Sequence, residues 1–65
     1  MEVLKQAIKE SGMTQQFIAD KLDISRISLY NKLNGEYPFT FKEIKTLVKL
    51  LNLNDFQILA IMKED

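Results

Sequence analysis

Residues 14–35 read TQQFIADKLDISRISLYNKLNG, and this stretch decides the fold. Its pattern predicts two short amphipathic helices, about Gln15–Leu22 and Ser25–Leu33, joined by a tight turn at Asp23-Ile24. Thr14 has the side chain of a helix N-cap. Gln15 and Gln16 follow in the first turn, at the positive end of the helix dipole. Phe17, Ile18, Ala19 and Leu22 supply a buried side, and Ala19 is small enough to let a neighbouring helix approach closely. Asp23 stands where the chain must change direction, and Asp tolerates left-handed backbone better than most residues. Ile24 plugs the turn into the core, and Ser25 caps the second helix. There Leu29 and Leu33, one turn apart, make a buried stripe. Arg26, Ser28, Asn31 and Lys32 stay polar, with Ile27 and Tyr30 between them. Asn34-Gly35 then stops the helix. The pair by itself leaves two roles open: the second helix reads DNA, or it only fills a bundle.

The flanking segments support this pair. Met1–Ser11 predicts a first helix, with Val3, Leu4, Ala7 and Ile8 at helical spacing and Gly12 as its stop. Glu36–Phe39 is a loop in which Pro38 holds Tyr37 extended. Thr40 opens a fourth helix, and Thr40 with Glu43 matches a capping box. Phe41, Ile44, Leu47, Val48 and Leu51 form its apolar face, with Lys42, Lys45 and Lys49 outside. Asn52 ends it. Asn54 with Gln57 repeats the capping-box spacing, so a fifth helix runs to about Met62. Phe56, Ile58, Leu59, Ile61 and Met62 cover a wide arc of that helix. A thin terminal helix can hardly bury all of them against its own chain, so they form either a dimer interface shared with a second subunit or, for Ile58 and Ile61, the scattered exposed apolar residues that are common on protein surfaces. The whole reads as all-α: a compact five-helix domain over residues 1–65, with no repeat and no strand-like alternation.

Composition narrows the functional classes. A chain of 65 residues makes one small domain, and a domain of this size buries only about 60% of its unfolded surface. The absence of cysteine and histidine excludes a disulfide framework and a Cys/His zinc site. No apolar run approaches the length of a membrane span, and no signal peptide is visible. Both points lead to a cytoplasmic protein, without a membrane. Catalysis has no histidine base, no cysteine nucleophile and no glycine-rich phosphate loop, and Ser25 and Ser28 have no visible activating partner. The carboxylates read as solvated charges along helix surfaces. No catalytic residue, metal ligand, cofactor or small-molecule ligand is expected.

Nine Lys and Arg balance nine Asp and Glu, whereas a nucleic-acid binder normally has a basic footprint. The distribution is uneven. Residues 24–35 carry Arg26 and Lys32 with no acid, and residues 39–53 carry Lys42, Lys45 and Lys49 against Glu43 alone. The acids gather at Asp20 and Asp23, and at Asp55, Glu64 and Asp65.

Thr14-Gln15-Gln16 opening a helix, Ala19-Asp20-Lys21-Leu22, Ile24-Ser25 and Asn34-Gly35 together resemble the helix-turn-helix of the Cro and C1-repressor family, the XRE-like regulators. The later run NKLNGEYPFTFKEIKTLVKLLNLN is similar to small phage and prophage repressors of Gram-positive bacteria. The resemblance implies a lambda-repressor-like fold that binds double-stranded operator DNA, usually as a homodimer, in the cytoplasm of a bacterial host. The second helix of the pair would enter the major groove. Ser25, Arg26, Ile27, Ser28 and Asn31 would then contact bases: Arg26 at guanine, Asn31 at adenine, Ile27 at a thymine methyl. Gln15, Gln16, Lys32, Asn34, Tyr37 and Lys42 would contact phosphates. Two residues depart from the family pattern: Asp23 stands where glycine is usual, and Lys32 where an apolar side chain is more common. The leading expectation is a sequence-specific transcriptional regulator of Cro or repressor type. Its rival is an interaction module or antirepressor of the same fold that does not bind DNA itself.

Overall fold

The computed structural model describes residues 2–63 and holds five helices there: α1 (Glu2–Ser11), α2 (Gln15–Leu22), α3 (Arg26–Leu33), α4 (Phe41–Leu50) and α5 (Asp55–Lys63). The expected helix start at Met1 and the acids Glu64 and Asp65 lie outside the described residues. The starts of α2, α3, α4 and α5 are set by local sequence. The Thr14 hydroxyl accepts the Phe17 N–H at 3.0 Å, and the Ser25 hydroxyl accepts that of Ser28 at 3.0 Å. Thr40 and Glu43 exchange bonds of 2.8 and 3.1 Å, and Asn54 and Gln57 exchange bonds of 2.9 and 2.8 Å. Both capping boxes therefore close. Ser25 and Thr40 sit just outside their helices, which begin one residue later than expected.

The ends of α2, α3 and α4 share one device. Asp23, Gly35 and Asn52 take left-handed backbone, with φ of 60, 82 and 52°. Next to each, an N–H reaches back to a helix carbonyl: Ile24 to Ala19 at 3.0 Å, Glu36 to Asn31 at 3.0 Å, and Leu53 to Val48 at 3.1 Å. These bonds satisfy carbonyls that the helix end leaves open. They also turn Ile24 and Leu53 inward against the core.

That core gathers one fully buried leucine or isoleucine from each of the first helices: Leu4, Ile18, Leu29 and Leu47. Full burial of such a side chain contributes about 1.5–3 kcal/mol. Ala19 is also fully buried, and α2 packs against both α3 and α4. A bulkier residue there would crowd the helices that pack on α2.

The structure corrects several expectations about burial. Phe17 and Phe41 are exposed rather than core, Phe41 to 76%. Both lie in the first turn of their helices, beyond the edge of the core, and each ring packs under a lysine: Lys21 at 5.3 Å and Lys45 at 5.8 Å. In α5, Ile61 is buried and Ile58 half-buried against this chain's own core. The docking of α5 on the rest of the chain, with α1 among its neighbours, turns them inward. Of the five residues assigned to a dimer interface, only Phe56, Leu59 and Met62 remain exposed. One carboxylate departs from the solvated pattern, since Glu43 is buried.

Candidate nucleic-acid interface

Leu29 and Leu33 fix α3 on the body of the protein, so its other side faces out. Ser25 and Arg26 stand exposed at its N-terminal end. Ile27, exposed to 70%, and Asn31 follow one turn apart along the outer face, with Ser28 half-buried beside them. The structure thus brings Ser25, Arg26, Ile27, Ser28 and Asn31 onto one end and one face of a single helix. Tyr30 shares this helix, although the sequence pattern places it only as a spacer between polar residues. It is exposed, three residues after Ile27 and four after Arg26, and that helical spacing was the available signal. An isoleucine and a tyrosine this exposed on one short helix have no packing role; such exposed apolar side chains, when clustered, mark contact surfaces. The Ser25 hydroxyl accepts from Ser28, yet its own proton is free to be donated outward.

The N-terminus of α2 holds Gln15, half-buried, and Gln16, exposed. Their backbone N–H groups sit in the first turn, where a helix supplies no acceptor of its own. The Gln16 amide donates to Asp20 Oδ1 at 2.9 Å, which keeps the side chain along the helix and leaves its second N–H available. Past the far end of α3, Asn34, Tyr37 and Lys42 are all exposed.

Lys32 does not stand with these groups. Its ammonium lies 2.7 Å from Glu43 Oε1 and 2.8 Å from Oε2, and the two side chains are only 13% and 11% exposed. The Phe39 ring lies 5.9 Å from the same ammonium. Burial alone would raise the Glu43 carboxyl. The hydrogen bond from Lys32, the N–H of Thr40 and the ammonium charge together outweigh it and hold the carboxyl below its ordinary value. The charge of this ammonium is met inside the protein. The departure from the family's apolar preference at this position has the same cause: Lys32 bridges α3 to the capping box of α4. One consequence is electrostatic. Of the two cations in residues 24–35, only Arg26 lacks a carboxylate partner among the described residues.

The turn departure is accommodated as well. Asp23 adopts the left-handed conformation that glycine would supply, and its N–H bonds to Asp20 at 3.2 Å. The turn geometry is therefore kept with a different residue.

Residues 4–57 match the family model described as helix-turn-helix. This chain belongs to the helix-turn-helix family. The matched span contains all of α2, the turn and α3, so the family's defining pair is the pair described above. Membership makes the chain, in general terms, a DNA-binding helix-turn-helix regulator of the Cro- and C1-like type. Residues 58–63, with Leu59 and Met62, lie beyond the matched span. Comparison with curated proteins and with solved structures gave no match. Among the described residues no group of His, Cys, Asp and Glu could hold a metal ion, and no helix is long and apolar enough to cross a membrane.

Proposed function

We propose that this chain is a sequence-specific transcriptional regulator of Cro or repressor type, in the cytoplasm of a bacterial host, with residues 1–65 forming one DNA-binding domain. It occupies a two-fold symmetric operator as a homodimer and lays α3 in the major groove. The observation that carries this reading is the outer surface of α3: Arg26, Ile27 and Tyr30 are exposed on a helix held rigidly from behind by Leu29 and Leu33. Arg26 pairs with guanine O6 and N7, Asn31 with adenine, and Ile27 with a thymine methyl. Ser25, Ser28 and Tyr30 complete the base-facing set. Gln15 and Gln16 hold one phosphate at the α2 N-terminus. Asn34, Tyr37 and Lys42 hold the backbone beyond α3. The dimer forms through the outer side of α5, where Phe56, Leu59 and Met62 are exposed.

Few cations take part once Lys32 is removed. Lys42 is the one cation left in the proposed phosphate set; with the charge that Arg26 brings to the bases, a dimer carries about four cations to the DNA, so log K against log salt should be no steeper than about −4. Fluorescence anisotropy with labelled duplexes from the DNA flanking the gene, titrated from low to moderate salt, tests the reading. Specific binding with a shallow salt slope is the expected result. If no flanking duplex is bound at low salt, the regulator reading fails. The second reading, an interaction module or antirepressor, would then stand, favoured by the balance of nine cations and nine anions and the enclosure of Lys32.

A further inference from the structure

The loop after α3 and the helices α4 and α5 enclose an open groove of about 780 Å³. Ile44, Val48 and Ile58 line its floor, and Tyr37, Phe41 and Met62 stand exposed around it. The volume lies within the range of about 300–1,000 Å³ typical of ligand-binding clefts. Every charged residue lining it is a lysine: Lys32, Lys45 and Lys49. Lys32 is neutralised by Glu43. Lys45 and Lys49, one turn apart on α4, have no carboxylate partner among the described residues. Lys42 extends the same row by a further turn.

An apolar floor beneath an uncompensated cationic rim selects an occupant that is apolar on one side and acidic at its edges. The apolar walls give nothing to a phosphate backbone, so the groove is poorly suited to nucleic acid. We propose that the groove docks an acidic amphipathic helix of another protein. Its apolar side chains would lie against Ile44, Val48 and Ile58, and its carboxylates would meet Lys45 and Lys49. This is recognition of a helix in a groove, with charge fixing the orientation. Tyr37 and Met62 at the groove's edge also serve the proposed DNA contacts and dimer, so the test rests on Lys45, Lys49 and Phe41, which serve neither.

The probe is a fluorescein-labelled helical peptide with leucines one turn apart on one face and glutamates flanking them. A matched peptide carries lysines in place of the glutamates. Anisotropy should show the acidic peptide binding and the basic one not. K45E/K49E should weaken the acidic peptide by at least about tenfold, equivalent to about 1.4 kcal/mol, and favour the basic peptide instead. Phe41→Ser should also weaken it, and because Phe41 is exposed, circular dichroism should show an unchanged fold. Equal binding of both peptides, no binding of either, or an unchanged affinity in K45E/K49E would overturn the proposal. So would loss of binding in F56S/L59S with K45E/K49E unaffected. Displacement of the peptide as the protein self-associates at rising concentration would assign the groove to a second copy and overturn it likewise.

Discussion

Glu43→Gln should destabilise the protein well beyond the effect of any exposed ion pair. The Glu43 carboxylate accepts the Lys32 ammonium on both oxygens, at 2.7 and 2.8 Å, and the Thr40 N–H at 2.8 Å. In the amide, one oxygen can keep the Thr40 bond. The NH₂ group then faces the ammonium, which is left with no anion while its side chain is only 13% exposed. A hydrogen bond to a charged group contributes about 1.5–3 kcal/mol. Breaking a fully buried pair costs about 3–5 kcal/mol. The residual exposure here lowers that figure, and a loss of about 2–3 kcal/mol follows. For a domain of this size each kcal/mol shifts Tm by about 4–8 °C, so the variant should melt about 10–20 °C lower. Lys32→Met should cost less, because the carboxylate keeps its cap and some contact with water. The double variant isolates the pair, and its coupling energy should exceed about 1 kcal/mol. Exposed pairs give about 0–1 kcal/mol; a coupling below about 0.5 kcal/mol would refute the view that this bridge anchors α3 to α4. The pH dependence has a definite sign. The carboxyl titrates lower in the folded protein than its ordinary 4.5, so its contribution is complete above that value and is lost as pH falls through the folded value. Thermal melts from neutral to acid pH should show this decline in the wild type and a smaller one in Glu43→Gln.

Asp23→Gly should raise stability by up to about 1 kcal/mol in urea denaturation, since glycine takes the left-handed φ of 60° without steric cost. Ala19→Leu should cost about 1–3 kcal/mol by overpacking; because it crowds the helices that pack on α2, α3 among them, DNA affinity should fall further than stability alone explains. Arg26→Ala should relax sequence preference in competition assays, whereas Gln16→Ala should weaken all duplexes alike; equal effects would undo the division between base and phosphate contacts. F56S/L59S should leave the melting curve nearly unchanged, because both side chains are exposed, and should convert a dimer to a monomer in sedimentation. A dimer that persists would move the interface elsewhere.

Features that depend on neighbours three or four residues apart were legible in the chain itself. Thr14, Ser25, Thr40 and Asn54 each cap the helix expected of them, and Asp23 and Asn52 adopt the left-handed turns where the pattern breaks. Such bonds form within one turn, so local sequence settles them. The outward set on α3 was legible for the same reason, apart from Tyr30. What tertiary structure decided is which apolar and charged groups actually meet. Lys32 and Glu43 are eleven positions apart, and nothing local distinguishes either from its solvated neighbours. Their burial depends on how α3 docks against the start of α4. Phe41 carries the hydrophobicity of a core residue, yet it lies past the edge of the core. In α5, five apolar side chains look alike in sequence, and docking on the rest of the chain divides them, turning Ile58 and Ile61 inward and leaving Phe56, Leu59 and Met62 outside. Hydrophobicity states a side chain's preference for burial; only the docking of the helices fixes which side chains find a partner.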